Sequence, residues 1–415
     1  MDPNRCVLVV CDGLADRPIA ELGGKTPLEA AETPSLDELA RAGINGIIDP
    51  LSPGVPPGSD AANLALLGYD PFKVYRGRGP FEALGCGIRV QPRDVAFRTN
   101  FATLDDNLLL VDRRAGRKID HVEELVKALE GLGSEEYPDV EVIFGHSVEH
   151  RGAIVLRGKG LSMRVSDPDP HVLGIRIPDS VPLDDSVEAK KTAFIVNELT
   201  RLSYKILRDH PVNRKRKEKG LPPANVLLLR GTGMLPQIEK LETRFGIKSA
   251  AIVANALVRG VCASVGMRLI DVPGATGRVD TDTLAKARYI VRNLEHFDLI
   301  YTHIKGADSA SHDGNLKMKM KMIQKIDGLI GYLMDHIESE SVYLAITADH
   351  TTPVPVGNHT GEPVPITISG PGVRVDDVTT FSEVACAKGG LGRLLGRELM
   401  PTLMNYLGNA AMYGA

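Results

Sequence analysis

"SVYLAITADHTTPVPVGNHTGEPVP", residues 341–365, decides how this chain folds. After Ser341, the next six residues are β-branched, aromatic or apolar and carry no charge, the composition of a strand buried on both faces. The chain then enters a Pro- and Gly-rich loop that sets Asp349 beside His350 and places His359 nine positions later. A plain connector needs Gly and Pro for its backbone, but it has no use for a carboxylate abutting an imidazole. Open α/β sheets bind ligands in the crevice beyond the carboxyl ends of their strands. The stretch therefore predicts a buried strand that delivers metal-binding side chains past its end.

The same design recurs twice. "CVLVVCDGLAD" (6–16) predicts a buried strand ending in Asp12 and Gly13. "TPSLDELARAGING" (33–46) follows as a helix, with Thr33 or Ser35 as cap, Leu36, Leu39 and Ala40 as its apolar stripe, and Gly43 to end it. "DLIYTHIKGAD" (298–308) predicts another strand with Asp308 past its end, and His312 stands one helical turn further on. Helices are predicted over 281–297 and 317–337; in the second, the Lys-Met alternation reads as an edge whose lysines snorkel to solvent. Strand and helix in alternation predict a doubly wound, mostly parallel α/β sheet. Between 72 and 234 the character changes to short strands, the long helix "SVEAKKTAFIVNELTRLSYKILRDH" and several arginines. The expected organisation is a core of 1–71 and 235–415 interrupted by a smaller inserted α/β domain over 72–234.

With 415 residues, 43% hydrophobic and 25% charged, the composition is that of an ordinary globular protein. A net charge of -4 gives no field toward nucleic acid or anionic membrane, so a small-molecule partner is expected and homo-oligomerisation is left open. The run "RKRKEKG" (214–220) is short, carries Glu218 and reads as a solvated loop. Five scattered cysteines without a CxxC pair fit a reducing compartment. The opening "MDPNR" shows no leader pattern and no apolar run reaches membrane-span length, so the expected location is cytoplasmic.

Asp12, Asp308, His312, Asp349, His350 and His359 thus converge on three predicted strand ends. A lone Asp there is often a helix cap and a lone His a satisfied polar residue, but six together point to metal. Carboxylate with imidazole suits Mn²⁺ or Zn²⁺, with Co²⁺ or Mg²⁺ also compatible. Two clusters suggest two ions, and a pair of ions suits phosphoryl transfer. The nucleophile for it is Ser59 in "GVPPGSDAANLALLG", at the expected start of a helix, whose dipole favours an alkoxide or phosphate. Its plain alternative is a helix N-cap.

These residues resemble the alkaline phosphatase superfamily. More narrowly, "VCDGLADRP", "PPGSDAANLALLGYDP", "YRGRGPFEALG", "HIKGADSASHDGN" and "TADHTTP…NHTGEPVP" resemble the archaeal-type phosphoglycerate mutases that need no 2,3-bisphosphoglycerate. The resemblance covers essentially the whole chain. It implies one divalent ion on Asp308, His312 and His359, and another on Asp12, Ser59, Asp349 and His350. It also implies phosphorylation of Ser59 during interconversion of 3-phosphoglycerate and 2-phosphoglycerate. The bacterial branch grips substrate with a His, several arginines and a lysine in its inserted part. Arg151 and Arg230 fit that role best here, followed by Arg117 and His171; the lysine has no counterpart, although Lys305 lies near the metal end of its strand. The rival readings are a metal-dependent phosphate- or phosphonate-ester hydrolase on the same core, and a binding protein that keeps the fold without the chemistry. Arginines aimed at the substrate argue against the first, and the intact Asp, His and Ser set argues against the second.

Overall fold

A computed structural model describes residues 5–412 and 414; the opening residues 1–4, read above for a leader, lie outside these. The contacts divide the chain into two units, one running up to Tyr75 and resuming at Ile238, the other Arg76–Gln237. In chain order the strands are β1 (Arg5–Cys11), β2 (Ile44–Asp49), β3 (Val95–Leu104), β4 (Leu110–Asp112), β5 (Glu141–His146), β6 (Arg151–Arg157) and β7 (Val226–Met234). They continue as β8 (Ser249–Ile252), β9 (Arg268–Leu269), β10 (Leu299–Ile304), β11 (Val342–Thr347), β12 (Val364–Ser369) and β13 (Gly392–Leu395).

In the first unit eight strands form one sheet in the order β13-β2-β12-β11-β1-β10-β8-β9. Only β12 runs against its neighbours. At the centre β1 pairs in parallel with β10 on one side and β11 on the other. Cys6 to Cys11, β10 and β11 are buried, which is why these strands read as unbroken apolar runs and not as alternating ones. Parallel pairing makes the three strands end on the same edge of the sheet, so the residues that follow each of them are neighbours. Backbone bonds join those turns: the Asp12 amide donates to the Ile304 carbonyl (2.9 Å) and the Asp308 amide to the Asp12 carbonyl (3.0 Å). Gly13 has φ +64, and a Cβ there would lie 2.8 Å from Asp308 Cα and 2.7 Å from Thr352 Oγ1. Only glycine allows both that backbone and that approach.

Three local expectations are corrected. Lys319, on the helix Leu316–His336, does not snorkel; it is fully buried. Its ammonium donates to Asp16 Oδ2 (2.8 Å), the Ala15 carbonyl (3.1 Å) and the Thr352 carbonyl (3.0 Å). It therefore pins the turn after β1 to the turn after β11. The run 214–220 is not a loop but mostly belongs to the helix Pro211–Glu218, which starts with Pro at its first position and the His210 side chain as cap. Arg216 there is buried, donating to the carbonyls of Pro222 (2.9 Å) and Ala115 (2.8 Å). Thr33 holds the N-cap position of the helix Pro34–Arg41 but its side chain makes no capping bond, and Ser35 lies inside the helix; the Leu36 amide donates to Asp327 Oδ1 (2.8 Å) of the long helix instead. That helix also stops before "GING", where β2 begins.

In the second unit β3 lies between β6 and β7, β5 adds beyond β6, and every ladder is antiparallel. The helix Val187–Leu207 packs on β7. Phe97, Phe101, Ile154, Leu156, Val196, Leu199 and Leu227 form its core.

Candidate metal centre

Asp308 and His312 are one turn apart on the helix Gly306–His312, and His312 Nε2 lies 3.2 Å from Asp308 Oδ1. His359 Nε2 reaches the same oxygen at 3.4 Å. Both imidazoles donate their other nitrogen to a backbone carbonyl, His312 Nδ1 to Gly357 (2.8 Å) and His359 Nδ1 to Pro57 (2.8 Å). That bond fixes the tautomer of the neutral ring with its lone pair on Nε2, the arrangement found on metal-bound histidines.

His350 is treated alike. Its Nδ1 donates to Thr352 Oγ1 (2.9 Å), whose hydroxyl in turn donates to Asp308 Oδ1 (3.1 Å). Its Nε2 then faces Asp12 Oδ1 (3.1 Å), Asp349 Oδ1 (3.5 Å) and Ser59 Oγ (3.2 Å). The His350 and His359 rings stack 3.6 Å apart, so the two clusters are adjacent. Ser59 is not the helix cap: Gly58 holds that position, and Ser59 opens the helix Ser59–Leu66 with its hydroxyl turned to His350.

The electrostatics show what the cluster lacks. Asp12, Asp308 and Asp349 are almost entirely buried together. Burial lowers the His350 pKa, but the Asp349, Asp12 and Asp308 carboxylates outweigh it and lift it to about 9. Burial likewise works against the Lys305 charge, yet Asp12 and Asp308 raise its pKa, because its ammonium lies 2.9 Å from Asp12 Oδ2 and 2.5 Å from Asp308 Oδ2. Apart from the His350 Nε2 contact, Asp12 Oδ1 has no partner among the described residues. Three buried carboxylates, an orphaned oxygen and imidazoles aimed by their Nε2 lone pairs fit divalent cations. Donors about 2.1 Å from one ion stand roughly 3.0–3.4 Å apart, and the separations above match that spacing except His350 to Asp349, which is 3.5 Å. Three groups have donors all within 4.8 Å of one another: Asp308, His312 and His359; Asp12, Asp308 and His350; and Asp12, His303 and Asp349.

His303 and Asn63 escaped the sequence reading. Asn63 Nδ2 donates to the Ser59 carbonyl (2.7 Å) and to Asp349 Oδ2 (2.9 Å), and Asn63 Oδ1 accepts from the Tyr301 hydroxyl. A polar residue inside the apolar run that ends this helix, four positions after Ser59, was the available signal.

In the second unit Arg230 Nη1 lies 2.8 Å from Asp169 Oδ2, and Arg113 forks onto the same carboxylate. His171 Nδ1 stands 3.0 Å from Arg113 Nη2. Arg151 pairs with Asn100 across the ladder, and its buried Nε has no partner. Arg98, opposite Arg230 in the ladder, was not anticipated. Burial pushes its guanidinium down to about 9, with Glu82 opposing and Arg78, Arg151 and Arg230 adding repulsion. Arg117 is exposed, in a left-handed turn. Lys305 belongs to the first unit, at the carboxylate cluster.

A sequence profile described as 2,3-bisphosphoglycerate-independent phosphoglycerate mutase matches residues 40–213. A protein of that name from Ignicoccus hospitalis is 52% identical over the full length of both chains. One from Methanocaldococcus jannaschii is 46% identical, again over all of both. Among solved structures, a Pyrococcus horikoshii protein superposes with TM-score 0.87 at 38% identity, covering both chains completely. The cofactor-independent phosphoglycerate mutase of Thermoplasma acidophilum gives 0.70 at 35% identity, covering 98% of this chain and all of the other. With that end-to-end relationship, this chain belongs to the 2,3-bisphosphoglycerate-independent phosphoglycerate mutase family.

Proposed function

We infer that this chain is an isomerase that interconverts 3-phosphoglycerate and 2-phosphoglycerate through a phosphorylated Ser59. The observation that carries the reading is the buried Ser59 hydroxyl 3.2 Å from His350 Nε2, in a chain aligned end to end with named mutases. We assign Asp308, His312 and His359 to one divalent cation, and Asp12, Ser59, Asp349 and His350 to a second; Mn²⁺, Zn²⁺, Co²⁺ or Mg²⁺ suits these donors. When bound, such cations lower the pKa of a nearby hydroxyl and offset the charge of the transferring phosphoryl group.

The Ser59 hydroxyl gives up its proton as Oγ attacks the phosphorus of 3-phosphoglycerate, the bond to the glycerate C3 oxygen breaks, and that oxygen takes up a proton in turn. Its position on the helix Ser59–Leu66 turns the positive helix end toward the phosphoserine. The C2 hydroxyl of the retained glycerate then attacks the same phosphorus, loses its proton and releases Ser59. The phosphoryl group returns to the glycerate it left, so no 2,3-bisphosphoglycerate is consumed. A hydrolase would lose it to water instead.

Arg151, Arg230 and Lys305 are assigned to the substrate anions, with His171 and Arg117 in support. Mutual repulsion among buried guanidiniums supports this role, since a phosphate or carboxylate relieves it. The five free cysteines, and the absence of any described helix long and apolar enough to cross a membrane, are consistent with a cytoplasmic enzyme acting on a small metabolite. The test is ³¹P NMR of 3-phosphoglycerate with metal-stripped and metal-reloaded protein, without 2,3-bisphosphoglycerate. Appearance of 2-phosphoglycerate only after reloading is expected; release of inorganic phosphate instead would establish a hydrolase.

A further inference from the structure

His303 sits inside β10, 1% exposed, where an imidazole has no packing advantage over an apolar residue. Neither of its ring nitrogens has a hydrogen-bond partner among the described residues. Buried polar groups are almost always paired, so this one calls for an explanation. Its Nε2 lies 3.4 Å from Asp12 Oδ2 and 3.6 Å from Asp349 Oδ2, without hydrogen-bond alignment to either. From behind, the buried Lys286 ammonium donates to the His303 carbonyl (2.5 Å), which holds the end of the strand in place.

We propose that His303, with Asp12 and Asp349, holds a further divalent cation beyond the two assigned above. The proposal rests on that metal assignment. The two carboxylates each present two edges. Their Oδ1 atoms face His350 at 3.1 and 3.5 Å, and their Oδ2 atoms face His303 at 3.4 and 3.6 Å. The imidazoles therefore stand on opposite edges of one carboxylate pair. On each edge the imidazole nitrogen lies within 3.6 Å of both carboxylates, and Asp12, His303 and Asp349 form a compact donor group of their own, with ligand atoms all within 4.8 Å of one another. One imidazole and two carboxylate oxygens favour Mn²⁺, Co²⁺ or Zn²⁺ over Mg²⁺.

Two neighbours weaken this position. The Lys305 ammonium lies 2.9 Å from Asp12 Oδ2, and Asn63 Nδ2 lies 2.9 Å from Asp349 Oδ2. A carboxylate oxygen has two lone pairs and accepts twice, but a cation and an ammonium on one oxygen repel. The His303 position is accordingly the last to fill, and Lys305 is its built-in competitor.

The test is a Mn²⁺ titration of metal-stripped full-length protein, counted by mass spectrometry of bound metal and by electron paramagnetic resonance. Wild type is expected to bind three equivalents, the third weakest. His303→Gln should bind two, with the first two affinities unchanged. Lys305→Met should tighten the third by about tenfold, the size of effect seen when a group beside a metal site is altered. A wild type that saturates at two equivalents, or a His303→Gln that still takes three, overturns the proposal and leaves the two-ion assignment standing. No binding at all overturns both. Should His303→Gln fail to fold, anomalous scattering from Mn²⁺-soaked wild-type crystals decides: an ion beside His303 Nε2 is expected, and its absence is fatal.

Discussion

Ser59 Oγ and His350 Nε2 stand 3.2 Å apart in the buried centre of the site, although 291 positions separate them in the chain. The hydroxyl is free to react because Gly58, not Ser59, takes the cap position. Ser59→Ala should therefore leave stability within about 0.5 kcal/mol, since alanine suits a helix and no cap is lost. Activity should fall by several orders of magnitude. Mass spectrometry of wild type quenched in turnover should find phosphate on the peptide containing Ser59; phosphate on another residue alone would exclude Ser59 as the acceptor.

Metal uptake should expel protons. His350 holds a proton up to about pH 9, and the Asp308 hydrogen bond raises the His312 pKa, so a cation must displace both protons. Apparent affinity should climb with pH and level off near 9. In the metal-free chain the sign for stability is opposite: these raised pKa values stabilise the fold below about 6.5, and that contribution is lost as pH rises toward 9. Calorimetry at several pH values in buffers of different ionisation enthalpy measures the protons released. Affinity that is flat with pH would contradict this.

Asp308 Oδ1 stands next to His312 and His359 on one side and accepts from Thr352 on the other, so Asp308→Ala should abolish activity and metal binding with His312 and His359. The sheet packs without it, so far-UV circular dichroism should be retained. Near-normal turnover with full metal content would remove Asp308 from the site.

The Lys319–Asp16 pair is buried on both sides. Lys319→Met would strand the Asp16 charge, which typically costs about 3–5 kcal/mol. Lys319→Met with Asp16→Leu should recover part of that stability in urea unfolding but not the activity, because the turns after β1 and β11 lose their common anchor. A single variant less than about 1 kcal/mol destabilised would show that the pair is not the anchor described.

Arg151→Ala or Arg230→Ala should weaken substrate binding by about 2 kcal/mol, the scale of a charge-assisted contact. Arg98→Ala, in the same repelling group, should do likewise. Steady-state kinetics in which all three variants match wild type would withdraw the substrate assignment and leave the metal centre untouched.

The strand ends were legible because parallel strands buried on both faces must be apolar, and a charge directly after such a run is conspicuous. Asp12, Asp308, Asp349 and His350 stand out for that reason. His303 was hidden by the same rule: inside "LIYTHI" an imidazole looks like a core residue, and only the register of β10 against β1 brings it to Asp12. Lys319 was misread because helical periodicity says which face a residue occupies but not that an acid waits opposite it, 303 positions away. Arg98 was missed because pairing across an antiparallel ladder is invisible before the strands are matched.

Gly13 has a consequence for how the protein meets its ions. With the turns after β1 and β10 joined amide to carbonyl, and no side chain at position 13 to wedge them apart, the donor cage is a property of the sheet and is ready before any ion arrives. Hydrogen exchange at the Asp12 and Asp308 amides should then be equally slow with and without metal. A cage of that kind would exchange one ion for another without refolding.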